Sequence, residues 1–283
     1  MRIGLCLSGG GIKGAAHIGV LKAFEEAEIK ISMVSGSSSG SIVATLYAEG
    51  YSTEQIYRIF KKYANEIRYF EYKNIFKLIS GIIFKQKITI TGLSSGEKIS
   101  KYVKEFSKRK NVVNITDIKY PLFISSVNLA NGDTYIFTSQ DVKYDKKVKY
   151  TNKISIVDAV RASCSYPGIF EPCEIYGNLF VDGGINENIP WKTLKKYGAD
   201  KIISVVFTQN GMRECCSNLI NVVDCSLSYV MEELREYELI GNVDVIDIHT
   251  ERINLLDSSK IEELYEKGYL LAKDYLKNNR WIL

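Results

Sequence analysis

The chain has 283 residues, 46% of them hydrophobic and 25% charged, an ordinary globular composition with enough apolar material for a large core. Its net charge is +4 (37 − 33), which by itself decides little about partners. Met1–Leu7 holds too short an apolar run for a secretory leader. The longest uncharged run, residues 31–48, contains six serines and two glycines, whereas a membrane span needs about 20 mainly apolar residues. A cytoplasmic chain that meets membranes only peripherally is therefore expected. Six cysteines without a CxxC pair read as reduced thiols. Adjacent Cys215 and Cys216, with one remote histidine for company, make a poor metal site, so no metal and no cofactor are expected.

Arg2–Leu7 reads as a buried strand, Ser8-Gly9-Gly10-Gly11-Ile12-Lys13-Gly14 as a glycine-rich turn, and Ala15–Glu28 as an amphipathic helix with Ile18, Leu21 and Phe24 on one face. His17, inside that helix, reads as a surface residue. A strand, a glycine turn and a helix form an anion site, because unpaired N–H groups and the helix dipole point into the turn. A dinucleotide would suit Gly9, Gly11 and Gly14 as GxGxxG, but the next strand ends in Ser35-Gly36 without the acidic residue that holds a ribose. A P-loop would need a Gly-Lys-Ser/Thr ending, which is missing. The third candidate is the oxyanion of an acyl-transfer intermediate, which needs donors beside a nucleophile.

That nucleophile is offered directly downstream. A short strand, Ile31–Val34, breaks into a helix, Ser41–Tyr47, through Gly36-Ser37-Ser38-Ser39-Gly40. The pattern is GxSxG with Ser38 at its centre, and Gly36 and Gly40 remove the Cβ atoms that would crowd a strand-to-helix elbow. Consecutive strands of a parallel sheet end on the same edge, so Gly10, Gly11 and Ser38 should lie together. The oxyanion reading explains both motifs; the other two explain one.

Ser52, followed by Gln55, should cap a helix. The chain then becomes basic and aromatic: Arg58, Lys61, Lys62, Arg68, Lys73, Lys77, Lys85 and Lys87 stand against Glu66 and Glu71, interleaved with Tyr57, Phe60, Tyr63, Tyr69, Phe70, Tyr72, Phe76 and Phe84. This is either an amphipathic insertion packed on the core, or a cap at about 52–110 that rests on an anionic lipid surface or covers an acyl-chain groove. With no recognisable nucleic-acid module, no nucleic-acid partner is expected. Ser94-Ser95-Gly96-Glu97 should cap a helix to Lys108. Strands Tyr120–Leu129 and Thr134–Thr138 flank Asn131-Gly132, a pair that favours the primed hairpin turn. Ser155–Cys164 reads as a helix stopped by Ser165-Tyr166-Pro167-Gly168. Leu179–Val181 is a strand running into Asp182-Gly183-Gly184, and Asn188-Ile189-Pro190 opens another helix. Strands at Ile202–Phe207 and Val243–His249 and a helix at Lys260–Leu276 close the chain. Helices follow short apolar strands throughout, which gives an α/β fold with a mostly parallel sheet, in one domain.

A serine nucleophile needs a base. The order Ser38, Asp182, His249 copies that of α/β-hydrolases, so a triad competes. Against it, only one βα unit precedes Ser38. Asp182 also lies in Asp-Gly-Gly, where the backbone can come close to the opposing turn. A carboxylate held against the hydroxyl could act as base without an imidazole if burial raised its ordinary pKa near 4.

Together these motifs resemble the patatin-like phospholipase family. The resemblance rests on Gly9-Gly10-Gly11-Ile12-Lys13-Gly14, on Gly36-Ser37-Ser38-Ser39-Gly40, on Ala159-Val160-Arg161-Ala162-Ser163 with Tyr166-Pro167 and Phe170, and on Asp182-Gly183-Gly184 with Asn188-Ile189-Pro190. It implies a three-layer α/β/α fold and a dyad of Ser38 and Asp182, with no histidine and no metal. It further implies an oxyanion hole of Gly9, Gly10 and Gly11, and an anion- or substrate-binding Lys13. The implied activity is hydrolysis of acyl esters of phospholipids or other glycerolipids through an acylated serine. Ser8 departs from the acidic residue often found before the three glycines, and Asn128 from an aspartate common in the strand-hairpin region. From about Gln209 onward the resemblance does not reach. A triad esterase using His249 and a non-catalytic lipid-binding protein remain as alternatives.

Overall fold

The computed structural model describes residues 1–283 apart from 68–70, 74–75, 77–78, 81–89, 143–146, 211–218, 242, 252–256 and 280–283. Cys215 and Cys216, and much of the basic, aromatic run, lie outside the described residues. In chain order the elements begin β1 (Ile3–Leu7), α1 (Gly14–Glu26), β2 (Ile31–Gly36), α2 (Ser39–Ala48), α3 (Thr53–Glu66), β3 (Gly92–Ser94) and α4 (Glu97–Arg109). They continue with β4 (Leu122–Asn128), β5 (Thr134–Thr138), β6 (Val148–Thr151), α5 (Ile156–Ser163), β7 (Gly168–Phe170), β8 (Cys173–Ile175) and β9 (Asn178–Asp182). The last are α6 (Trp191–Tyr197), β10 (Lys201–Asn210), α7 (Leu219–Glu238), β11 (Asp244–Glu251) and α8 (Ile261–Asn278).

The main sheet runs β11-β10-β1-β2-β4-β5-β6, with β9 also on β4 and β8 on β9. From β11 to β4 every pairing is parallel. Strands covered on both faces should be apolar throughout, and every residue of β1 and β4 is buried. Alternation then sorts their side chains between two cores. Leu5, Leu7, Val34, Leu122 and Ile124 face one core together with α1 to α5 and α8. Cys6, Met33, Phe123, Ile202 and Val206 face the other, which is closed by Ile189, Trp191 and Leu194 around α6. Three layers result, as expected.

Ser52 caps α3 by accepting from Gln55 N–H, and the Gln55 side chain returns the bond. Ile56, Phe60 and Ala64 of α3 and Ile99, Tyr102, Val103 and Phe106 of α4 are buried in the first core. β3 pairs in parallel with β7 as a separate small sheet. α3 and α4 thus pack as part of a layer. α8 crosses α1 at very close range: a Cβ on Gly19 would lie 2.0 Å from Tyr265 O, and one on Gly268 2.1 Å from Ala16 O. Two missing side chains let the helix backbones touch.

Two expectations need correction. The hairpin between β4 and β5 is not a primed two-residue turn. Gly132 has φ 73 but Asn131 lies outside the positive-φ region, and the loop closes through Gly132 N–H to Asn128 O at 2.8 Å. His17 is fully buried rather than on the surface. Residues 219–238, which the sequence left without an element, form a 20-residue helix. Among the described residues no helix is long and apolar enough to cross a membrane.

Candidate active site

β4 brings Ser38 and Asp182 together. β2 lies parallel to it and leaves the ladder with Gly36 opposite Ile124. β9 arrives antiparallel and ends with Asp182 opposite Ser126. Two strands thus meet end-on beside the same neighbour, two residues apart in register. Ser38, just past the end of β2, faces the end of β9.

Ser38 has φ 50 and ψ −126, a conformation that L-residues adopt only when the surroundings over-determine it. Here they do. Its N–H donates to Ser163 Oγ at 2.9 Å, and its carbonyl accepts from Ser41 N–H at 2.9 Å, Ser41 Oγ at 2.6 Å and Cys164 Sγ at 3.3 Å. Ser163 and Cys164, at the end of α5, therefore hold the elbow from behind. A Cβ on Gly40 would stand 2.2 Å from Leu7 O, and one on Gly36 2.6 Å from Gly40 O. The elbow closes only without them.

Asp182 is 1% exposed. Its Oδ1 accepts the Gly184 N–H at 2.8 Å, while Oδ2 is buried without a well-aligned hydrogen bond from any described residue. Burial pushes the carboxyl up to about 6, against the opposing effects of the nearby Ser38 hydroxyl and of the Gly184 N–H. A carboxylate of that basicity beside a hydroxyl can take its proton near neutral pH.

The glycine loop lies opposite. The Gly9 N–H donates to Asn188 Oδ1 at 2.8 Å, so the expectation that Gly9 serves the oxyanion is corrected: its donor is already occupied. The Gly10 and Gly11 N–H groups donate to no described residue. Ser8, just before them, is fixed by its carbonyl, which accepts from His17 Nε2 at 2.7 Å. Burial holds the His17 imidazole down at about 4, so the ring is neutral at physiological pH and packs 4.8 Å from the Phe207 ring. Lys13 is buried at the foot of the loop, its Nζ 5.3 Å from the same Phe207 ring. Asn188 and His17 thus pin the loop from either side, roles that need partners up to 179 positions away.

Ser38, Asp182, Gly9, Gly10, Gly11, Lys13 and Asn188 line one open cleft of ≈ 770 Å³. Its far wall comes from Phe207, Gln209 and α7, and no described residue of 52–110 contributes to it. His249 also lies apart. It is 56% exposed, with Nε2 3.5 Å from Asp247 Oδ2, and it does not line the cleft. The triad alternative fails on this placement, because β11 is the outer strand of the sheet and the imidazole faces its own aspartate. No group of three or more potential metal ligands occurs among the described residues.

A family profile described as patatin-like phospholipase matches residues 5–195, which include the glycine loop, Ser38 and Asp182. Lysophospholipase NTE1 of Candida glabrata is 31% identical over 204 residues, 72% of this chain but 10% of that protein. Lysophospholipase NTE1 of Saccharomyces cerevisiae is 28% identical over 302 residues, 97% of this chain and 16% of that protein. The chain thus spans a small fraction of these relatives' length. The crystal structure of VipD from Legionella pneumophila shares the fold, with a TM-score of 0.57 over 98% of this chain and 67% of that one at 17% identity. On the extent of the profile match and the identity to these relatives, the chain belongs to the patatin-like phospholipase family.

Proposed function

We propose that the protein hydrolyses fatty-acyl esters of glycerolipids, as a lysophospholipase or phospholipase A, with Ser38 as nucleophile and Asp182 as base. The observation that carries this is the meeting of a strained serine and a buried, basic carboxylate at one edge of β4, facing two unengaged amides. In the first half-reaction Ser38 Oγ bonds to the ester carbonyl carbon and its proton passes to Asp182. The carbonyl oxygen becomes an oxyanion held by the Gly10 and Gly11 N–H groups. Collapse breaks the ester C–O bond, and the departing alkoxide takes the proton from Asp182. Water then attacks the acyl-serine, again losing a proton to Asp182, and the fatty acid leaves as Ser38 is restored. One oxyanion donor is typically worth about 10²–10³ in rate and a general base about 10²–10⁴, enough for a competent hydrolase without a third residue.

Lipid-product mass spectrometry on lysophospholipid, phospholipid and triacylglycerol tests the proposal. Fatty-acid release should vanish in Ser38→Ala, and a fluorophosphonate should label wild type at Ser38; release that survives Ser38→Ala removes the serine from the mechanism. A pH–rate profile offers a second check. The base works only when ionised, so kcat/KM should fall about tenfold per pH unit below about 6 and level off above it. A limb near 4 would mean that Asp182 is not the titrating base.

A membrane contact is favoured by a separate observation, so we also propose that the basic segment rests on anionic lipid. Tyr72, Phe76 and Ile79 are exposed (86%, 72% and 48%), beside Lys73 and downstream of the exposed Arg58. Each cation near such a surface contributes about 1 kcal/mol. The triple charge reversal Arg58→Glu, Lys62→Glu, Lys73→Glu should weaken binding to phosphatidylserine vesicles by more than about tenfold and leave binding to neutral vesicles alike in both proteins. Equal binding to anionic vesicles by the two proteins would discard this contact.

A further inference from the structure

The helix α7 lies beyond the residues matched by the family profile, yet it walls the cleft. Ser228, Met231, Glu232 and Arg235 line it, at the i, i+3, i+4, i+7 spacing of one helix face. Arg235 is set apart from the others by how firmly it is held. Its side chain is 13% exposed. Nη1 donates to Phe207 O at 2.9 Å and to Thr208 Oγ1. The Thr208 hydroxyl in turn donates to the Asp247 carboxylate, at 2.7 Å from Oδ2, and Asp247 Oδ1 stands 4.0 Å from Nη1.

Those contacts fix one corner of the guanidinium and leave an edge over. Nε is buried with no hydrogen-bond partner, and no described residue accepts from Nη2. Unused donors on a nearly buried cation are costly. The cleft's other charged lining groups are Lys13, Asp182 and Glu232, so it is not a diffuse positive funnel. Hydrolysis of the acyl ester uses Ser38, Asp182 and the loop amides and has no task for a guanidinium on the opposite wall. A planar fork with two adjacent N–H groups matches the oxygens of a phosphate ester.

We propose that Arg235 binds the phosphate of a glycerophospholipid head group and makes the site prefer phosphorylated over neutral glycerolipids. The inference rests on the acyl-hydrolase reading and assigns to that same cleft its head-group end. Phe207 and Thr208, at the end of β10, and Asp247 on β11 act as positioning residues for the guanidinium.

The test uses the full chain as wild type, Arg235→Gln and Arg235→Lys, with 1-palmitoyl-lysophosphatidylcholine and 1-palmitoylglycerol in neutral-detergent micelles. The ratio of KM values for the two lipids should shift by about tenfold or more toward the neutral one in Arg235→Gln. Arg235→Lys, with its charge but no fork, should recover part of that shift. An unchanged ratio, or equal losses on both lipids, overturns the assignment. Calorimetry on the Ser38→Ala protein addresses Arg235 without turnover: lysophosphatidylcholine should bind about tenfold more weakly once Arg235→Gln is added. Inorganic phosphate is the control for source. If phosphate alone binds as tightly as the lysolipid, the head-group assignment is overturned. If wild type hydrolyses neither lipid while the Arg235-dependent binding persists, the hydrolase reading fails and the phosphate site stands.

Discussion

Asp182→Asn is expected to lower kcat by about 10²–10⁴ and, at the same time, to make the protein more stable than wild type at pH 7. The two effects share one cause. Burial raises the carboxyl to about 6 from an ordinary 3.8, so the folded protein holds a proton that the unfolded chain releases between those values. The contribution to stability is therefore greatest below about 4 and is lost as pH rises through 6. At pH 7 the buried charge costs on the order of 3 kcal/mol. Asparagine keeps an oxygen for the Gly184 N–H and sheds the charge, but it cannot accept the Ser38 proton. Turnover assays paired with urea midpoints at pH 4 and pH 7 check both halves. The gain in midpoint should appear at pH 7 and shrink at pH 4. An active Asp182→Asn enzyme would transfer the base role elsewhere.

Gly40→Ala should be among the most damaging single substitutions in the fold, costing at least about 3 kcal/mol. The added methyl would enter a carbonyl of β1, a central strand paired on both edges, at 2.2 Å. A flexible side chain could step aside, but this carbonyl belongs to the backbone and cannot. Either α2 lifts away from β1 or the elbow opens, and both displace Ser38 relative to the Gly10 and Gly11 amides. Thermal denaturation of the variant, together with its fluorophosphonate labelling rate, measures the two consequences. Near-wild-type stability would mean that the elbow tolerates far more movement than its contacts suggest.

Much of this site can be read from the chain because its parts are local. Glycines around Ser38, three consecutive glycines after a strand, and a Ser52–Gln55 capping pair each declare themselves within a few residues. What stayed hidden depends on partners distant in sequence. That Asp182 arrives on an antiparallel strand is decided by pairing with Ser126, 56 positions away (182 − 126). That the Gly9 donor is taken depends on Asn188. His17 resembles a surface residue because its neighbours past the glycine turn are of mixed polarity, yet its ring is needed where Ser8 and Phe207 meet. The helix α7 escaped for a different reason. Its outer face exposes Tyr229, Val230 and Tyr237 while its inner face offers Ser228, Glu232 and Arg235 to the cleft, which inverts the polarity that marks an ordinary surface helix. The uninterrupted stretch from Met212 to Ile240, free of glycine and proline, was the available signal.

The position of β10 bears on how the protein can be divided. The family profile ends at residue 195, but β10 lies between β1 and β11 in the sheet, and α8 sits against α1. A fragment trimmed to the matched residues would lose Ile3 and Gly4 and carry the rest of β1 as a bare border, with Leu5 and Leu7 stripped of cover and its peptide groups offered to any passing strand. The matched stretch, residues 5–195, is not a portable unit. The unmatched remainder acts as the keystone of the sheet, and grafting or minimising the matched region has to take it along.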